Sequence, residues 1–185
     1  MNYYISDTHF GHKNIIKHDA NNGCKKFSSI EEHDNLLVKN WNSIVTPQDN
    51  IYILGDFSWL SARKTEELIK ELNGAKFLIK GNHDHWCKDS ACKKLFQGIY
   101  DYKMIMDGDK TVIMSHYPIL FYQNQHRNAI HLYGHVHNTR EEKLFQDACK
   151  HIADTTDIPM NCHNVGCMLW DYKPVTLQQI LENNE

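Results

Sequence analysis

The chain has 185 residues, 41% hydrophobic and 23% charged, enough for a substantial core, and it reads as one domain over residues 1–185. A formal net charge of −3 excludes the global basic field of a general nucleic-acid binder. No apolar run is long enough to span a membrane, and the N-terminus lacks the charged and apolar regions of a secretory signal. A cytoplasmic setting is therefore expected.

Six cysteines are present, at 24, 87, 92, 149, 162 and 167, and no two of them form C-x-x-C. Their spacing matches neither a zinc ribbon nor a thioredoxin-like site, so they are expected as reduced packing thiols. Thirteen histidines are unusual for this length. Histidine is the commonest transition-metal ligand, but only position can assign that role.

In chain order, "NYYIS" is a short β-rich run that stops at Asp7. "SSIEEHDNLLVKNWNSIV" opens with a capping signature, Ser28-x-x-Glu31 or Ser29-x-x-Glu32, and then sets Leu37, Trp41, Ile44 and Val45 at helical spacing. Pro47 and Asp49-Asn50 end that helix. "IYIL" is an apolar strand running into Gly55-Asp56. "SARKTEELIKELNG" predicts a helix stopped by Gly74, and "AKFLIK" the next strand. "YKMIM" and "TVIMS" flank a turn at 107–110 and predict a hairpin. "IHLY", a late strand near "HNVGCML" and a final helix "TLQQILEN" after Pro174 complete the chain. The run from Lys143 to Lys150 has mixed charge and reads as a solvated helix face. Helices alternating with strands early and a hairpin later imply an α/β fold.

Five predicted strands end in polar clusters: Asp7-Thr8-His9, Gly55-Asp56, Gly81-Asn82-His83-Asp84, Ser115-His116 and Gly134-His135-Val136-His137. Ligands in open α/β sheets bind at the carboxyl ends of strands, so the five clusters can converge on one site. Extended backbone puts residues i and i+2 on one side, which would let Asp7 and His9 reach one ion together. His135 and His137 could share a face, or splay to two adjacent ions. Carboxylate, imidazole and amide donors without thiolate suit Mn, Fe, Zn, Co or Ni rather than a structural zinc. Seven donors exceed the needs of one tetrahedral site, and two ions sharing a bridging carboxylate would use them all.

The ordered blocks "SDTH", "GDF", "GNHD", "SHYP" and "GHVH", spanning residues 6–137, resemble those of the calcineurin-like metallophosphoesterase superfamily. "ISDTHFGHKNII" and "NVG…WDYKPV" are further similar to small single-domain bacterial and phage phosphoesterases. One departure is Cys167-Met168, where an acidic residue is expected soon after Asn164-Val165-Gly166. The resemblance implies a four-layer α/β/β/α sandwich of two mixed β-sheets flanked by helices. It implies two divalent metal ions, Mn first, with Fe, Zn, Ni or Co as alternatives. Asp7, His9 and His137 would hold one ion and Asn82, His116 and His135 the other, with Asp56 bridging. The implied reaction is hydrolysis of phosphate mono- or diesters, such as small nucleotides, by a metal-bound hydroxide. His83 would act as general acid and Asp84 would orient it through a hydrogen bond.

Each residue also has a bland reading. Asp7 alone could cap a turn, Asn82 alone could fill a positive-φ position, and His116 could be a satisfied core histidine. His12, Asn14 and Arg127 are candidate substrate contacts, with solvated loops as their alternative. Trp59, Trp86 and Trp170 are core or cleft wall. Two other functions compete. One is a non-catalytic scaffold of the same fold, against which the presence of His83 speaks. The other is a nuclease, against which the acidic net charge and short chain speak. A small phosphoester is the expected partner, and oligomeric state is not legible.

Overall fold

The computed structural model describes residues 1–183. Among them, eight strands form two four-stranded sheets. The first sheet runs β1 (Asn2–Ile5), β2 (Asn50–Ile53), β3 (Ala75–Ile79), β4 (Gly98–Tyr100), and every pairing in it is parallel. The second runs β5 (Tyr102–Asp107), β6 (Lys110–Ser115), β7 (Ile130–Tyr133), β8 (Cys162–Asn164). Only its β5–β6 hairpin is antiparallel. The helices are α1 (Ile15–Asn21), α2 (Ile30–Ile44), α3 (Ala62–Glu71), α4 (Ser90–Lys93), α5 (Arg140–Thr155) and α6 (Leu177–Glu182). None is long and apolar enough to cross a membrane.

Strand alternation builds the layers. Ile5, Ile51, Ile53 and Leu78 face Leu37 and Trp41 of α2 and Ile69 of α3. The opposite faces of the same strands present Tyr4, Tyr52 and Ile79, which pack on Val112, Met114, Ile130 and Leu132 of the second sheet. The outer face of that sheet places Ile113 and Tyr133 against Cys149 of α5. Three interlayer cores thus separate four layers, helix, sheet, sheet and helix, as expected from the alternating periods.

Local chemistry fixes the helix ends. Ser29 accepts from the Glu32 backbone N–H at 3.2 Å, and the Glu32 carboxylate turns back to Ser28, accepting from its N–H at 2.8 Å. Ile30, His33, Leu37 and Trp41 form the buried stripe of α2. Chain direction then reverses through a turn in which Asp49 accepts from the Thr46 N–H.

Three elements, α1, α4 and β4, are too short to carry a periodic pattern, and the sequence does not announce them. The late strand is also shorter than expected. It ends at Asn164, whose side-chain oxygen accepts from the Gly166 N–H at 2.8 Å and turns the chain into a 3-10 turn at Cys167–Leu169. Ser6 and Gly166 pair in an isolated parallel bridge, which ties the end of the first sheet to the end of the second.

His131 is fully buried on β7, and its Nε2 accepts from the Ile119 N–H at 3.1 Å. Burial pulls its pKa from 6.5 to about 4. The unfolded chain therefore binds the extra proton between those values. Stability is unaffected above pH 6.5 and falls by about 1.4 kcal/mol per pH unit from this group as pH drops toward 4. Denaturant titrations across that window should show a shallower acid limb for His131→Gln, which keeps an acceptor for Ile119.

Candidate metal centre

The five blocks converge where strands of both sheets end. The extended-backbone argument for Asp7 and His9 does not hold. β1 stops at Ile5, and Asp7 and His9 take left-handed conformations, φ 55° and 45°. Asp56, His135 and His137 do the same, at 50°, 70° and 47°. Such backbone costs roughly 1–2 kcal/mol per non-glycine residue and persists only where the surroundings enforce it. Here the Asp7 N–H donates to the Gly55 carbonyl at 3.1 Å and the His9 N–H to the Asp56 carbonyl at 3.0 Å. Two glycines permit the close approach of the loops. A Cβ on Gly134 would collide with Ser6 Oγ and Asp7 Oδ2, and one on Gly81 with Asp56 Oδ1.

The donors fall into two adjoining groups. In one, His9 Nε2 and His137 Nε2 lie 3.2 Å apart, at 3.9 and 3.7 Å from Asp7 Oδ1. In the other, donor atoms of Asp56, His116 and His135 all lie within 4.8 Å of one another. His116 Nε2 is 3.1 Å from Asn82 Oδ1 and 3.5 Å from Asp56 Oδ2. Asp56 Oδ2 is also 3.8 Å from His9 Nε2, so this carboxylate stands between the groups. His135 and His137 therefore splay, one to each group.

The electrostatics suit cations. Asp7, His9, Asp56, His116 and His137 are all buried. Among the described residues, every ion pair of Asp7, Asp19 and Asp56 is with a histidine, none with Lys or Arg. Buried carboxylates left without a fixed cation are costly unless something positive completes the cluster. Burial, reinforced by His137, holds His9 well below the usual imidazole range. Burial also opposes charge on His116, yet hydrogen bonding to Asp56 and the charge of Asp7 push it up to about 9. Asp56 falls to about 2 against burial because of His116. An oxygen–imidazole donor set of this kind fits divalent transition metals.

Supporting contacts fix the rings. His116 Nδ1–H donates to the Leu54 carbonyl at 2.7 Å, and His137 Nδ1 lies 3.1 Å from Asp19 Oδ1. Such partners orient metal-binding imidazoles and point the other nitrogen at the ion. The Trp59 indole donates to His9 Nδ1 at 3.0 Å. Because an indole N–H only donates, neutral His9 carries its proton on Nε2, facing His137 Nε2. His137 then donates from Nδ1 to Asp19, and Trp59, His9, His137 and Asp19 form one consistent chain.

Asp84 does not orient His83. Its buried carboxylate accepts from the N–H groups of Gly81, Asp56 and Phe57 at 2.8, 2.9 and 2.9 Å and from the Trp86 indole at 3.1 Å. Four donors occupy its four lone-pair sites, which leaves nothing for His83. His83 instead donates its backbone N–H to Asp56 Oδ1 at 2.9 Å. Its ring, 38% exposed, lies 4.6 Å from Trp59 with Nε2 4.0 Å from Asp56 Oδ2. Of the candidate substrate contacts, His12 reaches the site, stacked on Trp59 at 4.0 Å and 6°. Asn14 is exposed at the N-cap of α1, and Arg127 is exposed in the 3-10 turn Gln125–Arg127. No contact found among the described residues joins either to the cluster.

Sequence reading passed over Asp19, Tyr117 and Asn164. Asp19 is buried one helical turn after Ile15, a spacing that was available as a signal. The Tyr117 hydroxyl donates to Asn82 Oδ1 at 3.2 Å, and Asn164 Nδ2 donates to the His137 carbonyl at 3.1 Å. Cys167, where an acid was expected, donates its thiol to the Asp7 carbonyl at 3.3 Å and so braces the first block.

The two-sheet sandwich gathers at adjoining strand ends the five blocks whose order resembles that of the calcineurin-like metallophosphoesterases, and the chain belongs to one family with its full-length relatives. It is 31% identical over 183 residues to the uncharacterized protein MJ1445 of Methanocaldococcus jannaschii, spanning 97% of this chain and 89% of that one. It is similar in structure to AQ665, a protein of unknown function from Aquifex aeolicus, with a TM-score of 0.73, 31% identity and coverage of 99% and 98%. A shorter match, 38% identity over 85 residues, covers 44% of this chain and 39% of the Gene 66 protein of Mycobacterium phage L5. No family model matches the sequence.

A cation bound at His9 Nε2 requires the ring proton on Nδ1, where it opposes the indole N–H. Titration with Zn²⁺ should change tryptophan emission, and Trp59→Phe should lose most of that change while binding the cation at least as tightly by calorimetry. Asp19→Asn should weaken cation binding about 10–100-fold, with the far-ultraviolet circular dichroism unaltered.

Proposed function

We propose that the protein is a phosphoric ester hydrolase that uses two divalent cations, manganese foremost, on small phosphate mono- or diesters such as nucleotides. The observation that carries this reading is the pair of adjoining donor groups, Asp7–His9–His137 and Asp56–His116–His135 with Asn82, shared at Asp56. Bound there, the cations would withdraw charge from a phosphate and lower the pKa of water toward about 7. The protein's own part is placement. Asp56 is held by the His83 N–H on one oxygen and faces His116 and His9 with the other. The His83 imidazole stands at the open side of the cluster, between Asp56 and the Trp59 ring. A ring in that position can protonate the oxygen of a departing alcohol. Trp59 packing and the Asp56 contact do the orienting that Asp84 does not. The half-exposed His83 imidazole beside the cluster supports this reading over a non-catalytic scaffold of the same fold. The unpaired state of all six cysteines agrees with a cytoplasmic setting.

Manganese-loaded protein should hydrolyse p-nitrophenyl phosphate or bis(p-nitrophenyl) phosphate and carry about two metal ions per chain by elemental analysis. His83→Ala and Asp56→Asn should each lower kcat by about 10²–10⁴. No turnover of either ester with Mn, Fe, Zn, Co or Ni would reject the reading, and wild-type rates in both variants would remove these residues from it.

A further inference from the structure

The segment that delivers Asn82 and His83 also carries Lys80, Lys88 and Lys93, and all five residues lie within one loop and its short helical continuation. That segment is tied to its neighbours by hydrogen bonds. Asp84 locks Gly81 and Trp86 to the Asp56 loop, and Asp89 caps α4 by accepting from Ala91 and Cys92. Beside Asn82 it borders a cavity of about 690 Å³, walled by Tyr117 and Ile99 and lined by the three lysines. This volume lies in the range of small-molecule sites, roughly 300–1,000 Å³.

The charge of the cavity runs against that of the chain. Lys80 is matched by Asp101 at 2.6 Å. The Asp84 carboxylate is spent on its four donors. Among the described residues neither Lys88 nor Lys93 makes an ion pair. The Cys87 thiol lies in the same wall, between the buried Asp84 and the three lysines that line the cavity. Unmatched ammonium groups next to an organic wall of Tyr117 and Ile99 suit a ligand with an anionic end and an apolar body.

We propose that the cavity holds a second phosphate of the substrate, so that the favoured ester is a phosphodiester with a further phosphate on one arm, bound by Lys88 and Lys93. This rests on the hydrolase reading, and the test separates the two. The probes are a thymidine dinucleotide with and without a 5′-phosphate. Their binding is measured by calorimetry on manganese-loaded His83→Ala protein, where turnover is slowed. The phosphorylated dinucleotide should bind about tenfold tighter, as one charge-assisted anchor supplies. In the Lys88→Ala/Lys93→Ala background the advantage should vanish, while that double variant, with His83 intact, should keep wild-type kcat/KM on bis(p-nitrophenyl) phosphate. Equal binding of the two dinucleotides, or an advantage that survives the double substitution, overturns the proposal even if the simple diester is hydrolysed. A lysine-dependent advantage in a protein that hydrolyses no ester sustains the second-phosphate site and rejects the hydrolase reading. A 5′-phosphorylated hexanucleotide that binds no tighter than the dinucleotide assigns the cavity to small diesters; tighter binding assigns it to the end of a strand.

Discussion

The site depends on one buried carboxylate that is not among its candidate ligands. Asp84 gathers N–H groups from the loop after β2, 27 and 28 residues away in sequence, and from its own loop after β3, so that the two loops are tied together. A carboxylate in this position does what a metal or disulfide would do elsewhere: it fixes two segments by filling all its acceptor sites. Removing it would leave buried N–H groups unsatisfied, each worth about 1–3 kcal/mol. Asp56, Asn82 and His83 all ride on the joint it makes.

Around this joint the ligand-bearing residues sit in backbone that most side chains avoid. Five of the seven candidate ligands, Asp7, His9, Asp56, His135 and His137, have positive φ. A continuing strand would send alternate side chains to opposite faces and carry them away from the cluster. Left-handed residues at the strand ends curl the chain instead, so that each block lays its donors into the space between the sheets' ends. The cost is offset by the two sheets and three apolar cores beneath, which leave the loops little freedom to relax.

Aromatic and imidazole rings form the rim. Trp59 contacts His9, His12 and His83, and Tyr117 contacts His116 and His135, each tyrosine or tryptophan also placing a hydrogen-bond donor on a candidate ligand. The two rings are half-exposed, at 45% and 49%. They therefore serve the site from its solvent side as Asp19, Leu54 and Asn164 serve it from below.

The sequence by itself determined the strands other than β4, the helices α2 and α3 and the set of candidate donors, because those rest on local periodicity and on residue types at strand ends. The β5–β6 hairpin and the Ser29 cap are examples in which the deciding contacts lie within a few residues. Tertiary structure decided which histidine joins which group, what Asp84 binds, and that Asp19 and Trp59 belong to the centre at all. These choices turn on contacts across long stretches of chain, 128 residues for His9 with His137 and 118 for His137 with Asp19. The left-handed turns that set side-chain direction at Asp7 and His9 are imposed by the neighbouring Gly55–Asp56 loop, and no periodicity in the first block records that neighbour.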